Sequence, residues 1–163
     1  MEMPKPQDEH KRLSALAGAW TGEEKLFPSP WDPKGGAGVA IIDARIALEG
    51  FYLLMDYTEK RGNDTSYRGH GVFGYDTNEH VYTMHWFDSM GFPVGGPAKG
   101  RFDGNRLTFT NQSPMGHSRY SYDFQGDGSY RFTIENSQDG KQWSKMMEGT
   151  YRREANQDRT GRR

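Results

Sequence analysis

Cysteine is absent from all 163 residues, so neither a disulfide nor a thiolate metal site can form. Long apolar runs are missing too. Hydrophobic residues make up 33% of the chain, and no stretch of them approaches the length of a membrane-spanning helix. Charge of one sign is also lacking. With a net charge of −1 there is no basic surface to collect phosphates, so a nucleic-acid partner is not expected. The one basic cluster, Arg152, Arg153, Arg159, Arg162 and Arg163, lies in a polar tail that reads as a frayed terminus. Met1 leads into Glu2, Pro4 and Pro6 rather than a basic end and an apolar run, so a cytoplasmic protein is expected.

Aromatics (13%) and glycine (21 residues) are plentiful, a mix that suits many short strands and turns. About ten strand-like runs are joined alternately by tight turns and by longer loops. The tight turns are Glu49-Gly50, Asp76 to Glu79, Asp103 to Asn105 and Gly126 to Gly128. The longer connections run from Pro28 to Gly38, Arg61 to Ser66, Ser89 to Pro97, Asn111 to His117 and Ser137 to Lys141. In a meander every second connection falls at the same end, so one end is closed and the other open.

The expected fold is all-β, an antiparallel up-and-down barrel of about ten strands. One domain over residues 8–152 lies between flexible ends at 1–7 and 153–163. Asp8, Leu13, Leu16 and Ala17, with Gly18 as the stop, mark a short helix. Because Trp20 opens the first strand at the tight-turn end, that helix should cap the closed end.

Period-two alternation sorts the strands into an aromatic inner face and a charged outer face. Trp20, Leu53, Met55, Tyr57, Phe73, Trp86, Phe109, Tyr122 and Tyr151 fall inside; Asp43, Asp56, His70, His85, Arg119 and Arg131 fall outside.

Several motifs together resemble a known family. They are Glu9 to Leu13 leading to Gly18-Ala19-Trp20-Thr21-Gly22-Glu23, then Gly71 to Asp76, Trp86 to Met90, and Met147 to Tyr151. The chain resembles, over residues 5–153, an uncharacterised bacterial domain-of-unknown-function family with a lipocalin-like (calycin) β-barrel. The resemblance implies the fold and brings no activity. A comparison with nitrobindin-like barrels, which hold haem through a histidine near the C-terminal end, meets a departure. The last histidine here is His117, so no cofactor is expected.

Three functional readings follow. In the first, the barrel binds a small apolar or amphipathic molecule at its open end. Tyr57, Tyr67, Trp86, Phe109, Tyr120 and Met147 line the upper interior, and Trp31, Met90, Met115 and His117 stand on rim loops. Lys145, inward near the rim by alternation, would meet a carboxylate. Gly69 and Gly71 leave space inside. The same side chains could simply fill the barrel as core.

In the second reading, strand register aligns Asp43, Asp56, His70 and His85 in one row. Asp56, His70 and His85 would then serve as metal ligands or as an acid–base pair. On a polar face such a row is more simply a ladder of solvated charge pairs. No nucleophile elbow, phosphate loop or inner carboxylate pair is evident, so no catalytic residue is assigned and the balance is against an enzyme. In the third reading, Ile41, Leu54, Val72 and Phe87 form an outer apolar patch, which leaves the chain a monomer or a homodimer.

Overall fold

The computed structural model describes residues 1–30 and 32–154. A helix, α1 (Asp8–Lys11), continues into a 3-10 turn, Arg12–Leu16. Ten strands follow: β1 (Gly18–Leu26), β2 (Gly36–Ala47), β3 (Tyr52–Arg61), β4 (Asp64–Asp76), β5 (Val81–Asp88), β6 (Ala98–Asp103), β7 (Arg106–Ser113), β8 (Gly116–Phe124), β9 (Ser129–Ser137) and β10 (Ser144–Arg153). Each pairs antiparallel with its neighbour in sequence, and β10 returns to β1. The sheet is a closed barrel, which removes the edges an open meander would expose. On β2, Gly38, Ala40, Ile42 and Ala44 are buried while Val39, Ile41, Asp43 and Arg45 are exposed, as the alternation requires.

The helix closes one end, as expected. Leu13, Leu16 and Trp20 are buried there, and the Trp20 indole N–H donates to the Leu16 carbonyl at 2.9 Å. The same indole meets the Tyr130 ring edge to face at 4.7 Å, and the Arg153 guanidinium stands 4.4 Å from its centroid. Arg12 donates to the Gly104 carbonyl at 3.1 Å, and the Tyr82 hydroxyl to the Glu9 carbonyl at 2.6 Å. These bonds tie the helical segment to the β6–β7 turn and to β5.

Two connections expected to be long are tight hairpins. Strands β3 and β4 run on until Arg61 faces Asp64, and β7 and β8 until Ser113 faces Gly116. At the first, Gly62 takes φ +62°, a left-handed conformation that lets two residues reverse the chain. Three longer segments remain at the open end: residues 27–35, 89–97 and 138–143. Strands β5 and β6 pair only from Tyr82 to Met84, so the wall above Met84 is crossed by the 89–97 segment. Met90, Phe92 and Val94 on it are exposed.

Trp31 and the tail from residue 155 lie outside the described residues. Among the described residues, no helix is long and apolar enough to cross a membrane.

Candidate ligand site at the open end

Burial changes along the barrel axis. Leu53, Phe73, Leu107, Phe109 and Tyr130 are fully buried and form a packed floor. Nearer the open end, the inward Tyr67, Trp86, Tyr120 and Ile134 are only partly buried. Tyr57 joins the two levels, with its ring 5.8 Å from Tyr67 and 6.1 Å from Trp86, edge to face in both cases.

The aromatic groups at this level carry polar tips that converge. The Trp86 indole donates to the Tyr67 hydroxyl at 2.6 Å, and that hydroxyl donates to Asp88 Oδ2 at 2.9 Å. Burial raises the Tyr67 pKa above its usual value, with the Asp88 carboxyl pushing the same way. Burial likewise raises that of Tyr120. Both phenols are therefore neutral donors across the physiological range.

Behind Tyr57 lies a cluster that sequence reasoning missed. Glu24 on β1 and Glu59 on β3 are buried, at 2% and 5% exposure. The hydroxyls of Tyr57 and Tyr151 both donate to Glu24 Oε2. Glu24 Oε1 is buried and receives no donor, while Glu59 lies within hydrogen-bonding reach of the carboxyl. Burial, reinforced by Glu59, pushes the Glu24 pKa up to about 8 against the pull of the two tyrosines. Glu59 Oε1 accepts from the Ser66 hydroxyl at 2.9 Å and lies 3.6 Å from Arg61 Nε. Arg61 is itself tied to Asp32 at 3.0 Å. The cluster therefore runs from mid-barrel to the rim. The signal was present in the strand phase: with Trp20 inward on β1, Glu24 is inward, and with Tyr57 inward on β3, so is Glu59.

A family model described as a protein of unknown function (DUF1579) matches residues 5–153. The chain belongs to that family. No curated protein matches it. Among solved structures it is similar to Rv2717c from M. tuberculosis, at 11% identity and a TM-score of 0.65. That match covers 89% of this chain and 96% of the other. At such identity the likeness extends to the fold alone.

In this DUF1579 chain the expected site residues separate into groups. Tyr57, Tyr67 and Trp86 come together at the open end, with Met147 Sδ 3.9 Å from the Tyr57 hydroxyl. Tyr120 faces the same level from β8, opposite Phe109 and Ile134. Phe109 belongs to the floor, 5.7 Å from Phe73. Met90 and Met115 are exposed at the rim, and His117 stacks edge-on against Trp143 at 6.4 Å.

Lys145 is not inward. A bulge between Lys145 and Met147 shifts the phase of β10, leaving Lys145 on the outer surface, 2.8 Å from Glu148. The space expected over Gly69 and Gly71 is also taken. A Cβ on Gly69 would stand 2.2 Å from Trp86 Cζ2, and one on Gly71 would stand 2.9 Å from Trp86 Cζ3, so the indole lies flat over both glycines.

The row of metal candidates is broken. Asp43 faces Asp56 and Asp56 faces His70, at 2.7 Å between Asp56 Oδ1 and His70 Nδ1. His70, however, faces Phe87, and His85 faces Val72. The cause is the β4–β5 turn, which takes in His80 at φ +58° and keeps Asp76 paired with Val81. This displaces His85 by two residues. Among the described residues, no group of three or more His, Cys, Asp or Glu side chains could hold a metal.

On the outer wall, Leu54 faces Val72 across β3 and β4, and the exposed Phe87 faces His70. The exposed Ile41 faces Thr58, four residues along β3 from Leu54, and so stands apart from the pair. An open groove of about 1070 Å³ also lies outside, where β1 runs between β2 and β10. Its rim mixes Glu23 and Glu148 with Lys25, Arg131 and Arg152, and none of these is buried. Solvated charges of both signs on an open surface offer a ligand little, so the open end of the barrel is the better candidate.

Proposed function

We propose that this protein binds a small apolar or amphipathic molecule at the open end of its barrel. The observation that carries the reading is the set of half-buried aromatic groups, Tyr67, Trp86 and Tyr120, above a fully packed floor. The polar tips of Trp86 and Tyr67 already meet each other and Asp88, which leaves the ring faces for an apolar body. The exposed Met90, Phe92 and Met115 at the rim would add apolar contact as a ligand enters.

Intrinsic tryptophan fluorescence titrated with decanol and decanoate tests this. Saturable quenching or a spectral shift is expected in the wild type and should be lost in Trp86→Phe. A flat response to both probes counts against the reading. The alternative of a metal-dependent centre has lost the third ligand that motivated it, because His85 is displaced from the row.

A further inference from the structure

We propose that the occupant of the open end carries a protonated primary amine, held between the Glu24 and Glu59 carboxyls. This deepens the reading above and rests on it. Glu24 is 2% exposed, both of its tyrosine donors reach Oε2, and Oε1 receives none. A buried carboxyl oxygen without a donor is costly, and the Glu59 carboxyl lies within hydrogen-bonding reach of Glu24. Two such carboxyls cannot both ionise without a proton or a cation to offset their repulsion. In the protein alone a proton on Glu24 serves, in keeping with its raised pKa.

The surrounding charges favour one added cation. The groups facing Glu24 are Tyr57 and Glu59 from β3 and Tyr151 from β10, with Tyr130 on β9 behind Tyr151. The cation beside Glu59, Arg61, is already shared between Asp32 and Glu59. If Glu24 ionises, it has hydroxyl donors but no ion pair among the described residues, and a single ammonium balances its charge. An ammonium offers three N–H donors, enough for Glu24 Oε1 and Glu59 together. A divalent metal would need a third protein ligand, and no such group exists among the described residues. The Tyr57 ring beside the pair suits the cation, and the Tyr67 and Trp86 rings packed on Tyr57 suit an apolar tail. Binding ionises Glu24, and its proton leaves to solvent.

Decylamine, decanol and decanoate share a tail and differ in the head. Calorimetric titration of each at neutral pH, in two buffers of different ionisation enthalpy, separates the possibilities. Decylamine is expected to bind about tenfold or more tighter than decanol, the range of a charge-assisted hydrogen bond, with release of a proton. Glu24→Gln and Glu59→Gln, each first shown to be folded by circular dichroism, should abolish that preference and keep decanol binding. Equal affinity for decylamine and decanol, or a preference that survives both substitutions, overturns the amine assignment and leaves the binding reading standing. Failure of all three probes to bind removes both.

Discussion

A side chain on Gly69 would collide with the Trp86 indole, its Cβ 2.2 Å from Cζ2. The two residues sit on neighbouring strands, and the ring occupies the volume that a larger residue on β4 would take. Gly69→Ala must therefore push the indole out toward the mouth. A loss of about 1–3 kcal/mol is expected from overpacking, with a red shift in tryptophan emission. The same substitution in a Trp86→Phe background should cost less, because the smaller ring leaves room. Denaturant melts of the three variants check this. Equal costs in both backgrounds would show that the added methyl does not meet the indole.

The closed end should carry more stability than the open end. Trp20 is 2% exposed and bonded to the Leu16 carbonyl, whereas Trp86 is only partly buried. Trp20→Ala is expected to cost about 3–5 kcal/mol, a large share of the about 5–15 kcal/mol that holds a domain together. Trp86→Ala should cost less and weaken binding instead. Urea denaturation of both, followed by circular dichroism, ranks them. A larger loss for Trp86→Ala would contradict the assignment of the two ends.

Glu24 predicts a pH dependence of stability. Its folded pKa is raised to about 8 from an ordinary 4.5, so the folded state holds the proton more tightly than the unfolded chain. The stabilisation is complete below about 4.5, declines as pH rises, and is gone above about 8. The steepest slope is about 1.4 kcal/mol per pH unit. Glu24→Gln removes the titration, so wild-type stability relative to that variant should fall as pH rises from 4.5 to about 8. A constant difference across the window would show that Glu24 is ionised throughout.

Much of the barrel was legible because a two-residue period is a simple signal. Trp20, Leu53, Tyr57 and Phe73 all lie inside as their phase requires, and the Glu49-Gly50 reversal placed Asp43 opposite Asp56. What failed depends on small departures from that period. A β4–β5 turn that takes in residues 77–80 moved His85 two residues out of its row, and one bulge turned Lys145 outward. Neither has a strong local signature, since a left-handed conformation such as that of His80 is uncommon outside glycine. Glu24 and Glu59 were overlooked for a different reason. Their phase placed them inside, but acidic residues ordinarily face water, and only the tyrosines and the second carboxyl make their burial tolerable.

The most direct test of binding at the open end uses the tryptophan side chains as separate reporters. The indole N–H of Trp86 points to the Tyr67 hydroxyl in the mouth, that of Trp20 to the Leu16 carbonyl at the closed end, and Trp143 packs outside against Arg119. Their indole resonances in a ¹⁵N–¹H spectrum can be assigned by Trp→Phe replacement and followed as decylamine or decanol is added. A saturable shift of the Trp86 resonance, with Trp20 unmoved, is the expected result. Saturable binding that leaves Trp86 in place would contradict it.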